Sequence, residues 1–170
     1  MAEEQQCLRT NILSIQNKIF DAKHYFNRIP QYSYENIEPN KWYPMKQFTI
    51  LVDQYEDQMG PLVLKSIGTG IIPEMLEAGV MPKMPPQEFI KGLSHVYHSA
   101  NRGTNIGDWK VLKEEPNHII MENSTMHNCK LEEGVLLGGI EALGGKNPRI
   151  FQRTCVKKGD SFCTFDIYWQ

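Results

Sequence analysis

Apolar residues recur at three- and four-residue spacing in two long stretches of the chain. In WYPMKQFTILVDQYEDQMG, residues Met45, Phe48, Val52, Tyr55 and Met59 fall on one side of a helix that Pro44 opens and Gly60 closes. Ile50 and Leu51 sit off or at the edge of that stripe, which predicts burial on more than one side. In PQEFIKGLSHVYHSANRG, the stripe is Phe89, Leu93, Val96, Tyr97 and Ala100, and Gly103 supplies a stop. KLEEGVLLGGIEAL is helical by the same period, with Leu131, Val135 and Leu143 among its apolar positions, and a shorter helix is expected over 62–67. Period-two alternation marks DWKVLKEE and HIIMEN, joined by Pro116-Asn117, and then RIFQRTC and CTFDIYW. The Pro-, Gly- and Met-rich GTGIIPEMLEAGVMPKMPP is expected to be a loop or short-helix region, able to serve as a lid.

The first forty residues are mixed. Ile12, Ile15, Ile19 and Phe20 suit a helix, but also a strand followed by the aromatic segment HYFNRIPQYSY. The order of elements predicts an α+β fold, with an antiparallel sheet covered mainly on one face by helices.

Composition narrows the function. The 170 residues suit one domain able to bury a core without staples, with 41% hydrophobic and 22% charged residues. A formal net charge of −2 leaves no basic excess for nucleic acid. No apolar run reaches membrane-span length, and the acidic, polar MAEEQQCLRTN is no signal peptide, so a cytoplasmic protein is expected. No G-x-S-x-G, HExxH or phosphate-binding loop occurs, and an enzyme is not expected.

The four cysteines carry the sharpest chemistry. If KKGDS is a turn centred near Gly159, Cys155 and Cys163 face each other across a hairpin. Both then point inward, sharing a face with Phe151, Arg153, Phe165, Ile167 and Trp169. A disulfide, two plain buried thiols and metal ligation all satisfy that geometry. Cys129, just before a helix, is the natural third ligand, where the helix dipole would favour a thiolate. His127 is the candidate fourth. Cys7 is expected as a free thiol in a tail.

The segments MENSTMHNC, KLEEGVLLGGIEAL and CVKKGDSFCTFDIYW together resemble the 4-vinyl reductase domain, with RGTNIGDWKV and WYPMKQF echoing stretches upstream. That family shares its fold with heme nitric-oxide-binding domains and with subunits of vesicle-tethering transport particles. The resemblance implies a small-molecule-binding module and makes Cys129, Cys155 and Cys163 zinc candidates. Relatives complete the zinc site with a glutamate five residues before Cys155, where Ile150 stands here.

His95 and His98 fall on the helix side opposite Phe89, Leu93 and Val96, so neither is placed to hold heme. The Tyr-x-Ser-x-Arg motif that holds heme propionates in the nitric-oxide sensors is also absent, YSYEN being its nearest echo, and heme is expected to be at most a minor option. Gly134, Gly138 and Gly139 each cost roughly 1 kcal/mol against Ala in a helix. They point to tight packing of helix on sheet in preference to a cavity floor.

The function expected is a non-catalytic sensor that encloses a small apolar ligand among Trp42, Phe48, Val52, Phe89, Leu93 and Tyr97. It would act as a homodimer and signal to a separate protein partner. The alternatives are a ligand-free dimerisation module and a tetrapyrrole-handling protein.

Overall fold

The computed structural model describes residues 4–28, 38 and 41–170. The YSYEN segment and the expected aromatic stretch before it lie largely outside the described residues. The chain begins with β1 (Gln6–Leu8), α1 (Arg9–Gln16) and α2 (Ala22–Phe26). β2 (Trp42–Pro44), α3 (Met45–Met59), α4 (Pro61–Thr69) and α5 (Ile71–Glu77) follow. Next come α6 (Pro86–Lys91), α7 (Leu93–Ala100), β3 (Asn101–Arg102), β4 (Trp109–Glu115) and β5 (His118–Asn123). α8 (Cys129–Ala142), β6 (Arg149–Thr154) and β7 (Cys163–Tyr168) complete it.

The architecture is α+β, as the patterning predicts. Four antiparallel strands in the order β4-β5-β7-β6 form the main sheet. Ile119, Met121, Cys163, Phe165 and Ile167 are buried on its inner face, where the helices pack. α3 buries Met45, Phe48, Val52 and Tyr55 as its stripe requires. Leu51 joins them, while Ile50 and Met59 are exposed. Among the described residues, no helix is long and apolar enough to cross a membrane.

Three features depart from expectation. A small sheet, β2-β1-β3, clasps the N-terminal segment through the registers Cys7↔Tyr43 and Cys7↔Asn101, so Cys7 is fully buried and not in a tail. The helix expected over 86–100 breaks at Gly92, whose N–H is shared between the carbonyls of Glu88 and Phe89 and tightens the turn. The hairpin is centred on Gly159 at its turn end, where Thr154 pairs with Thr164, but loses that symmetry further from the turn. A bulge between Gln152 and Thr154 pairs Gln152 with Phe165 and Phe151 with Asp166. Phe151 and Arg153 therefore face outward, Phe151 being 55% exposed, while Ile150 packs inward.

On the outer face, His118 is hydrogen-bonded between Asp166 (Nε2 to Oδ1, 2.6 Å) and Glu115 (Nδ1 to Oε2, 2.9 Å), and stacks on Tyr168. Arg153 pairs with the other oxygen of buried Asp166. Hydrogen bonds to Glu115 and then Asp166 raise the His118 pKa above its ordinary value. A raised folded-state pKa contributes stability in full below the unfolded value near 6.5 and loses it as pH rises through the folded value. His118→Gln should therefore flatten the decline in Tm above about pH 6.5. Thermal scans from acid to mildly alkaline pH check this, and parallel slopes for both proteins would contradict it.

Candidate ligand cavity and cysteine cluster

A cavity of about 540 Å³ opens among α1, α5, α7, α8 and the loop that precedes α8. Its volume is that of a small-molecule site. Ile15 of α1, Phe48 of α3, Ile71, Ile72 and Met75 of α5, Leu93 and Val96 of α7, and Leu131 and Val135 of α8 make an apolar wall. The segment expected to be a loop or short-helix region, able to serve as a lid, contributes the short helix α5 to the wall itself. Tyr97 turns its ring to the cavity and donates its hydroxyl to the Ile106 carbonyl at 2.7 Å. Burial pushes its pKa well above the usual phenol range.

One end of the cavity is polar. His127 lies edge-on to Tyr97 and Phe48, with ring centroids 5.1 and 6.1 Å away. Its Nδ1 is 3.2 Å from Glu132 Oε1, and its Nε2 is 3.2 Å from Asn101 Oδ1. Asn101 is held by Asn11, whose Nδ2 donates to Asn101 Oδ1 at 2.9 Å, and by its own donation to the Tyr97 carbonyl at 2.8 Å. Glu132 is 5% exposed and Asn101 2%. No Lys or Arg lines the cavity among the described residues; its charged groups are Glu132 and, paired with Lys18, Glu74.

Of the residues expected at a ligand site, Phe48, Leu93 and Tyr97 line this cavity. Trp42, Val52 and Phe89 do not. Trp42 stacks under the Arg102 guanidinium at 4.2 Å, Val52 is core, and the Phe89 ring packs against Gly139. His95 and His98 are exposed, His98 beside Asp108 at 3.3 Å. The polar end was missed, although one signal was present. Glu132 shares a helical side with Leu136 and Gly139, so a carboxylate interrupts the buried stripe of α8.

The second constellation is thiol. The sulfurs of Cys129, Cys155 and Cys163 all lie within 4.8 Å of one another, and those of Cys129 and Cys155 are 3.9 Å apart. All three side chains are buried, and none of the four cysteines forms a disulfide. His127 takes no part; its ring is committed to the cavity, which corrects the expectation of it as fourth ligand. The most acidic thiol is not Cys129. A hydrogen bond from the Cys129 thiol, offset by burial, brings Cys163 down to about 6 and drives Cys129 well up. At the start of α8 the cap is Asn128, whose side chain accepts from the Lys130 N–H at 2.8 Å.

Neither a protein-family model nor a curated protein matches the chain. Solved structures do. An H-NOX protein from S. oneidensis in the Fe(II)NO ligation state superposes with a TM-score of 0.68 at 14% identity, covering 95% of this chain and 98% of that one. An Fe(II) unliganded point mutant of the K. algicida H-NOX protein gives 0.69 at 12% identity, covering 96% of both chains. A point mutant of Tt H-NOX gives 0.68 at 11%, covering 96% of this chain and 95% of that one. At these identities the likeness is one of fold, the fold that the sequence resemblance named.

This overturns the expectation that heme is at most a minor option, because the neighbours are captured with ferrous iron and are heme-binding proteins. The residues here meet part of heme's demands. The cavity supplies one imidazole, His127, whose Nδ1 lies 3.2 Å from a Glu132 oxygen and whose Nε2 is hydrogen-bonded to Asn101 Oδ1. It supplies no lining cation for propionates among the described residues.

Proposed function

We propose that the protein is a single-domain, non-catalytic ligand-binding or sensor module. Its ligand has an apolar body and occupies the cavity. The observation that carries this reading is an apolar volume of about 540 Å³ closed at one end by the half-buried His127 and the buried Glu132 and Asn101. Heme is among the ligands to test. His127 is the residue that would hold it, its Nε2 being released from Asn101 to do so, and the iron would supply a site for a diatomic gas. We also assign zinc to Cys129, Cys155 and Cys163, a role that the 4-vinyl reductase resemblance implies and the proximity of the sulfurs supports. Output passes to a separate protein partner or through a homodimer. Phe20, Ile50, Met59 and Leu62 leave exposed apolar surface on the N-terminal half for such a contact.

The test is paired titration of the purified chain with ferrous heme and with N-phenyl-1-naphthylamine, a neutral probe that fluoresces when buried. Saturable binding of either, weakened roughly ten-fold or more by the cavity-filling Val96→Trp, is expected. A heme spectrum lost in His127→Ala would make the sensor a heme protein. Absence of saturable binding by both ligands, or binding indifferent to Val96→Trp, would sink the proposal.

A further inference from the structure

We infer that the cavity selects apolar amines, a hydrophobic body bearing one ammonium, with Glu132 as counter-ion; the inference rests on the cavity's being a ligand site. Acceptors outnumber donors at the polar end. A carboxylate offers about four lone-pair sites. Among the described residues, the nearest polar neighbour of the almost fully buried Glu132 is His127 Nδ1, at 3.2 Å. The Thr125 hydroxyl is 3.5 Å away and already donates to Asn123 Oδ1 at 2.8 Å. His127 Nε2 meets Asn101 Oδ1 in hydrogen-bond geometry, and a neutral imidazole that donates there turns its Nδ1 lone pair to the Glu132 oxygen, itself an acceptor. The orientation of Asn101 is fixed, because its Nδ2 donates to the Tyr97 carbonyl.

Two acceptors thus face each other at one end of the cavity, a Glu132 oxygen and His127 Nδ1, 3.2 Å apart. An ammonium carries N–H donors and no acceptor, and so complements both. Charge points the same way. The cavity's unbalanced charge is the Glu132 carboxylate, no Lys or Arg lines the wall among the described residues, and buried charge demands a partner of opposite sign. The faces of Tyr97, Phe48 and Trp109 on the same wall add attraction for a cation. A carboxylate of equal size would meet repulsion at every one of these groups.

Calorimetric titration with three matched compounds decides the matter: 1-naphthylmethylamine, 1-naphthylmethanol and 1-naphthoate. The amine should bind roughly ten-fold or more tightly than the alcohol, and the naphthoate weakest of the three. Glu132→Gln should bring the amine to the level of the alcohol. The ranking on the unmodified protein is decisive even if that variant folds poorly. Equal affinity for amine and alcohol, or preference for the naphthoate, overturns this inference while leaving the cavity a ligand site. Failure of all three to bind overturns this inference, and the titrations with heme and N-phenyl-1-naphthylamine then decide the ligand-site reading separately.

Discussion

Gly138→Ala is expected to lower the unfolding free energy by about 3 kcal/mol, near the upper end of what overpacking a core costs. For a chain of this size that corresponds to a fall in Tm of roughly 10 °C. The cause is backbone against backbone. A Cβ on Gly138 would lie 1.9 Å from the Thr69 carbonyl oxygen, one on Gly134 2.0 Å from that of Lys65, and one on Gly68 2.3 Å from that of Leu131. α4 and α8 therefore touch along a seam with no side chain between them. Carbonyl oxygens at such a seam cannot rotate away as a flexible side chain would. The helices must separate, and separation withdraws the buried Glu133 from Lys65, to which it is paired at 2.7 Å. The glycines serve helix–helix packing, not the helix–sheet contact the sequence suggested. Glu141→Ala, on the exposed side of the same helix, is the control and should change stability by no more than about 0.5 kcal/mol. A Gly138→Ala protein as stable as that control would mean that α4 and α8 are not packed this closely.

The fold class and most long elements were legible because their apolar spacing is carried by many residues at once. α3 needed only its stripe, and the two hairpins only their alternation. What escaped had a weak local signature. β1, β2 and β3 have two or three residues each, too few for any period to show. The bulge at Arg153 adds one residue to β6 and so exchanges its two faces, which no alternation rule can anticipate. Cys155 and Cys163 still point inward because the bulge lies before the first of them. The cavity was half legible. Its apolar wall follows from helical stripes, whereas its polar end joins a loop histidine, a helix glutamate and an asparagine at the start of β3, distant in sequence and met only in the fold.

The stretch His127-Asn128-Cys129 ties the two constellations together. Its first residue faces the cavity and its last joins the sulfur cluster. Between them Asn128 donates to Asp53 Oδ1 at 2.6 Å and Glu56 Oε2 at 2.8 Å on α3. Lys157, in the turn between Cys155 and Cys163, reaches the same two oxygens at 2.8 and 2.5 Å. The cysteine hairpin and the start of α8 thus grip one side of α3, the helix that carries Phe48 into the cavity wall.

Stripping zinc should accordingly destabilise the protein and loosen the cavity together. Tetrahedral zinc with Zn–S bonds near 2.3 Å sets its sulfurs about 3.8 Å apart. Cys129 and Cys155 stand at 3.9 Å, and Cys163 lies within 4.8 Å of both, so the ion needs only a small inward adjustment. A metal held at a free concentration 1,000-fold above its Kd contributes about 4 kcal/mol to stability. Protein purified under reducing conditions is therefore expected to carry about one zinc per chain by elemental analysis. Chelation should cost roughly that 4 kcal/mol, and readdition of zinc should restore it. Cys163→Ser should lose the metal and most of the difference between the two states, while Cys7→Ser, in the small N-terminal sheet, should keep the metal. Binding of the naphthylamine probe should weaken in step with zinc loss, since α3 is then held by one fewer anchored segment. Metal-free protein with three alkylatable thiols, indifferent to chelator and to added zinc alike, would leave the cluster as core packing and remove the link to the cavity.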